Sequence, residues 1–174
     1  MKPICVFMAM AIAAFTMGCK STNVSPISMI VASKLDRNAS IFITTPHDGN
    51  YGPEFYFGSG TSVARAFEAA FIPYTGNVII GGQTGPMVDA LDAARTNSCK
   101  YLVFPKITHW EDRATEWSGI PDQIELIVKV VLVENGTDIN AVKINGKSSW
   151  FTFGGDHPQD LLKEPIEKFV GSLF

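Results

Sequence analysis

Alternating hydrophobic and polar residues predict the strands of this chain. The clearest alternation is "QIELIVKVVLVE" at residues 123–134, where every second side chain is apolar and one face of a strand is therefore buried. Asn135 and Gly136 follow and predict a tight turn. Residues 138–153 then return as the last strand.

Three earlier runs complete the predicted strands. Residues 40–46 and 77–82 are short and rich in β-branched residues, which is typical of strands. Residues 100–110 are apolar on both faces early in the run, so this strand is expected in the centre of the sheet.

Apolar residues at helical spacing predict three helices. The first follows Thr61 or Ser62 as N-cap, the second opens at Pro86, and the third begins near Pro165 after a short turn at residues 157–162. The buried faces are expected to contain Val63, Ala66, Phe67, Ala70 and Phe71, then Met87, Ala90, Leu91 and Ala94, and finally Leu162, Ile166, Phe169, Val170 and Leu173.

The order of these elements, β-α-β-α-β-β-β-α, predicts an α/β (α+β) fold. The first half favours crossover connections and the second half is a meander, so a mixed β-sheet with helices packed on it is expected. A length of 174 residues fits one ordinary domain, which we place at residues 35–174.

The N-terminus predicts export and lipid anchoring. Residues 1–18 combine a positive start, a short apolar run and small residues, as a secretory signal peptide does. Cys19 directly follows a glycine and resembles the lipidated cysteine of a bacterial lipobox, although Thr16 stands where leucine is usual. Residues 19–34 are then the lipidated Cys and a tether below about 50 Å when stretched. Ordinary signal cleavage, leaving a soluble periplasmic protein, is the alternative.

Charge and cysteine content narrow the class of protein. A formal net charge of −3 argues against a nucleic-acid surface. If Cys5 leaves with the signal peptide and Cys19 carries lipid, only Cys99 remains, so no internal disulfide is expected. Cys99 heads an apolar run and is predicted to be a buried, unreactive thiol. No cofactor motif is present.

The richest chemistry lies in "THWEDRATEWSGIPD" at residues 108–122. This stretch can be a loop locked by ion pairs, a binding surface with tryptophan anchors, or an acid–base site. It lacks the spacing of a metal site. The candidate binding surface, to which a nearby histidine is added, comprises Trp110, Glu111, Asp112, Arg113, Glu116, Trp117 and His157.

Two helix entrances also carry polar residues. "GGDHPQ" fits a capping box with Asp156 at the N-cap and Gln159 at N3, so His157 is expected in a structural corner. "GSGTS" at residues 58–62 is expected to be a plain loop-to-helix entry, with anion binding as the weaker alternative.

The blocks "HWEDRATEWSGIPD", "GKSSW" and "TFGGDHPQDLL" resemble those of a family of short Gram-negative lipoproteins catalogued as a domain of unknown function. The resemblance covers residues 35–174 and implies an exported lipoprotein, with no catalytic residue to transfer. The strand order is also similar to the N-terminal domain of TolB and to LpoB-type envelope lipoproteins, although the predicted tether is short for an LpoB-like reach.

These inferences predict a lipid-anchored envelope protein that binds an envelope partner or small ligand without catalysis. The alternative is a periplasmic hydrolase that uses Glu111, Asp112 and His157, which requires these groups to converge on an open pocket. Lys20 after the cysteine favours the outer membrane, facing the periplasm, over an inner-membrane anchor.

Overall fold

The computed structural model describes residues 20–29, 34–83, 85–113, 120–148 and 157–174. These described residues form eight strands, β1 (Ser21–Met29), β2 (Ile41–Thr45), β3 (Gly49–Tyr51), β4 (Glu54–Tyr56), β5 (Val78–Gln83), β6 (Tyr101–Glu111), β7 (Gln123–Leu132) and β8 (Thr137–Lys147). The helices are α1 (Ser59–Phe71), α2 (Met87–Thr96) and α3 (Lys163–Leu173), with a 3-10 turn at Pro158–Leu161 before α3.

Six of the strands form one mixed sheet in the order β1-β8-β7-β6-β2-β5, while β3 and β4 form a separate hairpin. β2 pairs in parallel with β5 and β6, and the other neighbours in the sheet pair antiparallel. The predicted α+β fold with a mixed sheet is therefore confirmed, and β6 holds the expected central place.

Helices cover the sheet from both sides. The chain passes from β2 through α1 to β5 on one side, and then back across β2 through α2 to β6. Because right-handed crossovers in opposite directions place their helices on opposite faces, α1 and α2 lie on different faces. α3 joins α1 over the larger core, which contains Phe67, Phe71, Phe169 and the inward side chains of β7. A smaller cluster lies under α2.

The predicted helix faces agree with the burial of their side chains. All five residues assigned to the last helix face are buried, and Val63, Phe67, Ala70 and Phe71 are buried in α1. Cys99 is also buried, and this burial raises the pKa of its thiol, as expected for an unreactive cysteine.

The prediction of a tether at residues 20–33 is wrong for the part that the structure describes. Residues 21–29 form β1, which pairs antiparallel with β8 from Ser21 opposite Lys147 onward. The backbone N–H and C=O groups along this edge of β8 would otherwise be unpaired. Residues 21–29 form hydrogen bonds with them although their own hydrophobic periodicity is weak. Pro26 and an adjacent register shift then blunt the new outer edge.

The entrance of α1 also differs from the prediction. The helix begins at Ser59, after Gly58 in the left-handed region (φ 85°), rather than behind Thr61 or Ser62. Its N-terminus is capped by Asp48, whose carboxylate accepts hydrogen bonds from the backbone N–H groups of Gly58 (3.1 Å) and Gly60 (2.8 Å). A carboxylate of this chain thus occupies the place where an anion would bind.

The corner before α3 is capped one residue later than predicted. His157, and not Asp156, is the N-cap of the 3-10 turn, and its N–H donates to Asp160 Oδ2 at 3.0 Å. Asp156 and Gly154 lie outside the described residues, as does the predicted end of the last strand beyond Lys147.

Candidate functional site

A row of polar side chains crosses the antiparallel half of the sheet on the face that α2 leaves uncovered. Asn23, Asn145, Glu125 and His109 are successive partners across β1, β8, β7 and β6. Directly opposed residues in antiparallel strands project on the same face, with Cβ atoms about 4.5–5.5 Å apart. We refer to these four residues as the polar row and to this uncovered surface as the open face.

A β-bulge brings His109 into the polar row. The register of β6 against β7 shifts between Ile107 and His109, so Thr108 is an extra residue on β6. In regular pairing without the bulge, His109 would lie opposite Ile124 and point into the core, because a shift of one residue reverses the face of every side chain. Thr108 instead fastens the bulge, since its hydroxyl donates to Glu125 Oε1 at 2.8 Å.

Lysine neutralises the carboxylate at the centre of the row. Lys143 Nζ lies 2.6 Å from Glu125 Oε2. This hydrogen bond is the main cause that lowers the pKa of Glu125, and the contact from Thr108 acts in the same direction. Glu125 is therefore an anchored anion, suited to orienting polar groups rather than exchanging protons.

A pocket of about 390 Å³ opens over the polar row. Side chains of both signs and several uncharged hydrogen-bonding groups line it. Besides the polar row these are Ser21, Thr108, Gln123 and Lys147. Ile124 and Gly146 complete the lining, and its polar groups can orient a polar ligand or a polar segment of another protein.

Beside this pocket, Glu111 forms the centre of a cluster of charges. This residue is 3 % exposed, and its two carboxylate oxygens contact different partners. Oε2 lies 3.1 Å from His109 Nε2, and Oε1 accepts a hydrogen bond from Arg113 Nε. The Arg113 guanidinium also lies over the ring of Tyr51, 5.4 Å from its centroid. The contact with Glu111 raises the pKa of Arg113, so this side chain stays charged.

Asp122 closes the same region from the other strand. It is 1 % exposed, and its Oδ1 accepts the backbone N–H of Arg113 at 2.6 Å. Ser148 exchanges two hydrogen bonds with it, since Ser148 Oγ accepts the Asp122 N–H and the Ser148 N–H donates to the Asp122 carbonyl. Burial raises the pKa of the Asp122 carboxyl. Both described ends of the 108–122 stretch are therefore held in place.

The structure separates the residues of the predicted binding surface. Trp110 is 3 % exposed and packs in the core, so it is a core residue and not an exposed anchor. Asp112 and His157 lie at the surface, with Oδ1 and Nδ1 3.7 Å apart. Glu116 and Trp117 lie outside the described residues, and their place on a binding surface stays a prediction.

The sequence contains a signal for the polar row that is separate from its charged motifs. In β7 and β8 the apolar positions identify the core face, and the same alternation assigns Gln123, Glu125 and Asn145 to one opposite face. The bulge at Thr108 and the pairing of β1 had no comparable signal. Among the described residues, no group of histidine, cysteine and carboxylate side chains has the arrangement of a metal site.

The chain belongs to the family described as "Domain of unknown function (DUF4823)", whose profile matches residues 33–173. The resemblance found in the sequence blocks is thereby confirmed. No curated protein sequence matches the chain.

Solved structures are similar to this chain at low sequence identity, and PelC shares its fold. PelC from Paraburkholderia phytofirmans, a dodecamer, is 14% identical with a TM-score of 0.64, covering 87% of this chain and 97% of that chain. The lipoprotein GNA1162 from Neisseria meningitidis is 14% identical with a TM-score of 0.46, covering 78% and 96%. The LpoB C-terminal domain from Salmonella enterica is 13% identical with a TM-score of 0.43, covering 61% and 82%.

In the part of the chain that the structure describes, the helices are too short or too polar to cross a bilayer.

Proposed function

We propose that this chain is a lipid-anchored envelope protein that binds a polar ligand, or a polar segment of an envelope partner, in the pocket over the polar row. The observation that carries the proposal is the row itself, in which four polar side chains from four strands line one open pocket. The solvated face of an antiparallel sheet is commonly polar, and here amide, carboxylate and imidazole groups lie in register around one pocket, where they can act together on a polar ligand.

The geometry of the charged cluster supports binding over hydrolysis. An acid–base site needs a carboxylate or imidazole within hydrogen-bond reach of a substrate in an open pocket. Both oxygens of Glu111 are instead occupied, by His109 and Arg113, and the side chain is buried. Asp112 contacts His157 at the surface and does not line the pocket. The hydrolase alternative therefore has no assembled site among the described residues.

The anchor is proposed at Cys19, after removal of residues 1–18. Acylation at this position gives stable attachment because more than one chain enters the bilayer. Lys20 after the cysteine favours the outer membrane, with the domain facing the periplasm. The mass of the mature protein tests this directly, since lipidation adds the acyl chains to a peptide that begins at Cys19, and Cys19→Ser removes them.

Site-specific photocrosslinking in cells tests the binding site. A photoreactive amino acid at Asn145, within the polar row, should give a discrete crosslinked product in the membrane fraction. The matched control is Ile72, which is 59% exposed and lies far from the pocket. Product formation at position 145 should be lost when Glu125→Gln and Asn23→Ala are combined with the probe, while the melting temperature is retained.

Equal crosslinking from positions 145 and 72 would show collision at the surface rather than a site. No product from position 145 in a protein that folds and carries its lipid would refute binding in the pocket, and leave the anchor intact.

A further inference from the structure

Only one residue, Lys20, separates the proposed lipid anchor at Cys19 from strand β1. Lys20 Nζ donates to the backbone carbonyl of Asp160 at 2.8 Å, and Ser21 already pairs with Lys147 in the sheet. Consecutive Cα atoms are about 3.8 Å apart, so a lipidated Cys19 would sit against the end of β1. The domain then has almost no flexible linker to the membrane, so this end of its sheet must lie at the membrane surface.

The register of the sheet identifies which residues share that end. Ser21 pairs with Lys147, Lys147 with Gln123, and Gln123 with Glu111. Three strand-to-strand spacings of about 4.8 Å place Glu111 at the same end of the sheet as Ser21, roughly 14 Å from it across the strands. The C-terminal end of β6 therefore faces the bilayer in the anchored protein.

The β3–β4 hairpin lies beside this end of β6. A Cβ on Gly49 would be 2.4 Å from Trp110 Cβ, so the hairpin backbone presses directly on β6. The Tyr51 ring packs edge-on against His109, with centroids 5.2 Å apart. These contacts hold the hairpin at the level of the anchor.

The hairpin and the residue directly after it carry the most exposed aromatic side chains of the described chain. Gly49 and Tyr56 are partners on the face toward β6, so Phe55 falls on the opposite, outer face opposite Asn50. Phe55 is 63% exposed, and Phe57, two positions on, is 91% exposed. Tyr51 in the same hairpin is 43% exposed. Aromatic side chains at such a level partition into the interface of a bilayer.

We infer that Phe55 and Phe57 insert into the interface of the phospholipid bilayer that holds Cys19 and fix the orientation of the domain on it. This inference rests on the proposed lipid anchor. The insertion holds the mouth of the pocket near the membrane, since Ser21 and Lys147 belong both to its lining and to the anchored end. The ligand or partner is then met at the membrane surface and not deep in the periplasm.

Depth-dependent quenching tests the orientation on the full chain, purified from bacterial membranes. The protein is reconstituted into vesicles of phosphatidylethanolamine and phosphatidylglycerol, with or without brominated phosphatidylcholine. A fluorophore is placed at Asn50→Cys, next to Phe55 on the outer face, or at Ile72→Cys. Cys99 is buried, so it does not take the label under native conditions.

Position 72 is the matched control because it lies at the other end of the sheet. Its loop is tied to the start of β2, since Thr75 Oγ1 donates to the Ala39 carbonyl and Ile41 pairs with Tyr101. Tyr101 is ten residues from Glu111 along β6, or roughly 33 Å at about 3.3 Å per residue.

Brominated lipid should quench the label at position 50 and leave the label at position 72 unchanged. Phe55→Ser combined with Phe57→Ser should remove the quenching at position 50, whereas Ile72→Ser should retain it. Equal quenching at both positions, or none at position 50 in a protein whose mass shows the lipid, overturns this inference alone. A blue-shifted but unquenched label at position 50 would assign the aromatic face to a contact with a second copy of this chain and overturn the inference as well. Absence of lipid on Cys19 overturns the inference together with the anchor.

Discussion

Asp48→Ala should detach the loop that leads into α1. The carboxylate of Asp48 accepts the N–H groups of Gly58 and Gly60, and the Ser59 hydroxyl lies 3.5 Å from Oδ1. The first-turn N–H groups of a helix have no partner within the helix, so they depend on such a cap. Asp48 lies ten or more residues before Gly58 and Gly60 in the sequence, so its hydrogen bonds also connect the loop that contains Asp48 to the start of α1.

The size of the effect follows from the enclosure of the site. Loss of an aspartate cap costs about 0.5–2 kcal/mol, and the upper end applies where the freed N–H cannot reach water. Gly60 is buried, and a Cβ on it would lie 2.1 Å from the Pro46 carbonyl oxygen, so the loop packs closely on this first turn of the helix. We therefore expect Asp48→Ala to lower the free energy of unfolding by about 2 kcal/mol. Asp48→Asn keeps one acceptor oxygen but turns its amide NH2 toward the other N–H group, so it loses one of the two hydrogen bonds as well as the charge, and an intermediate loss of about 1–2 kcal/mol is expected.

Asp89 provides the matched control. It lies exposed in the first turn of α2, a helix whose N-terminus has no side-chain cap. Asp89→Ala removes only the interaction with the helix dipole, so a loss of about 0.3–1 kcal/mol is expected.

Urea unfolding followed by circular dichroism measures all three variants at one pH. An Asp48→Ala loss no larger than that of Asp89→Ala would refute the capping argument. A second measurement uses inorganic phosphate, which should stabilise Asp48→Ala more than the wild type, because the variant leaves the helix N-terminus free to bind an anion. Equal stabilisation of both proteins would show that Asp48 does not occupy this place.

Three further changes test other parts of the structure. Burial raises the pKa of the Asp122 carboxyl above its ordinary 3.8, so the folded chain binds this proton more tightly than the unfolded chain does. The free energy of unfolding should therefore fall as the pH rises from about 3.8 through the pKa of Asp122 in the folded chain. Asp122→Asn keeps the acceptor for the Arg113 N–H and should remove this loss; parallel curves of unfolding free energy against pH for the two proteins would contradict it. Glu111→Gln should lower the free energy of unfolding by about 1.5–3 kcal/mol in thermal or urea melts, because it removes the charge from the hydrogen bonds with His109 and Arg113. An unchanged melt would show that this charged cluster does not stabilise the fold. Gly49→Ala should displace the hairpin from Trp110 at a cost of roughly 1–3 kcal/mol, and should speed proteolysis within residues 49–56 while the rest of the chain stays resistant; uniform resistance would refute the close packing.

The periodicity of hydrophobic residues determined most of the architecture. Strand β7 and helix α3 were predictable because each buries a complete apolar face, so a single period of two or 3.6 residues dominates the pattern. The central position of β6 followed from apolar residues on both of its faces. The N-terminal residues predicted the anchor in the same way, from an apolar run and the cysteine after it.

The candidate site depended on contacts between residues far apart in the chain. Residues 21–29 show little periodicity, and they form a strand because β8 presents an unpaired edge to them. Asp48 lies in the loop before β3, yet it caps helix α1. A single bulge in β6 makes His109 face the pocket rather than the core. A tryptophan can serve as an exposed binding anchor, but the position of Trp110 on β6 buries its side chain in the core. Local sequence specifies which element forms, whereas the pairing of edges and the register of strands specify which side chains meet, and these are settled only when distant segments pack together.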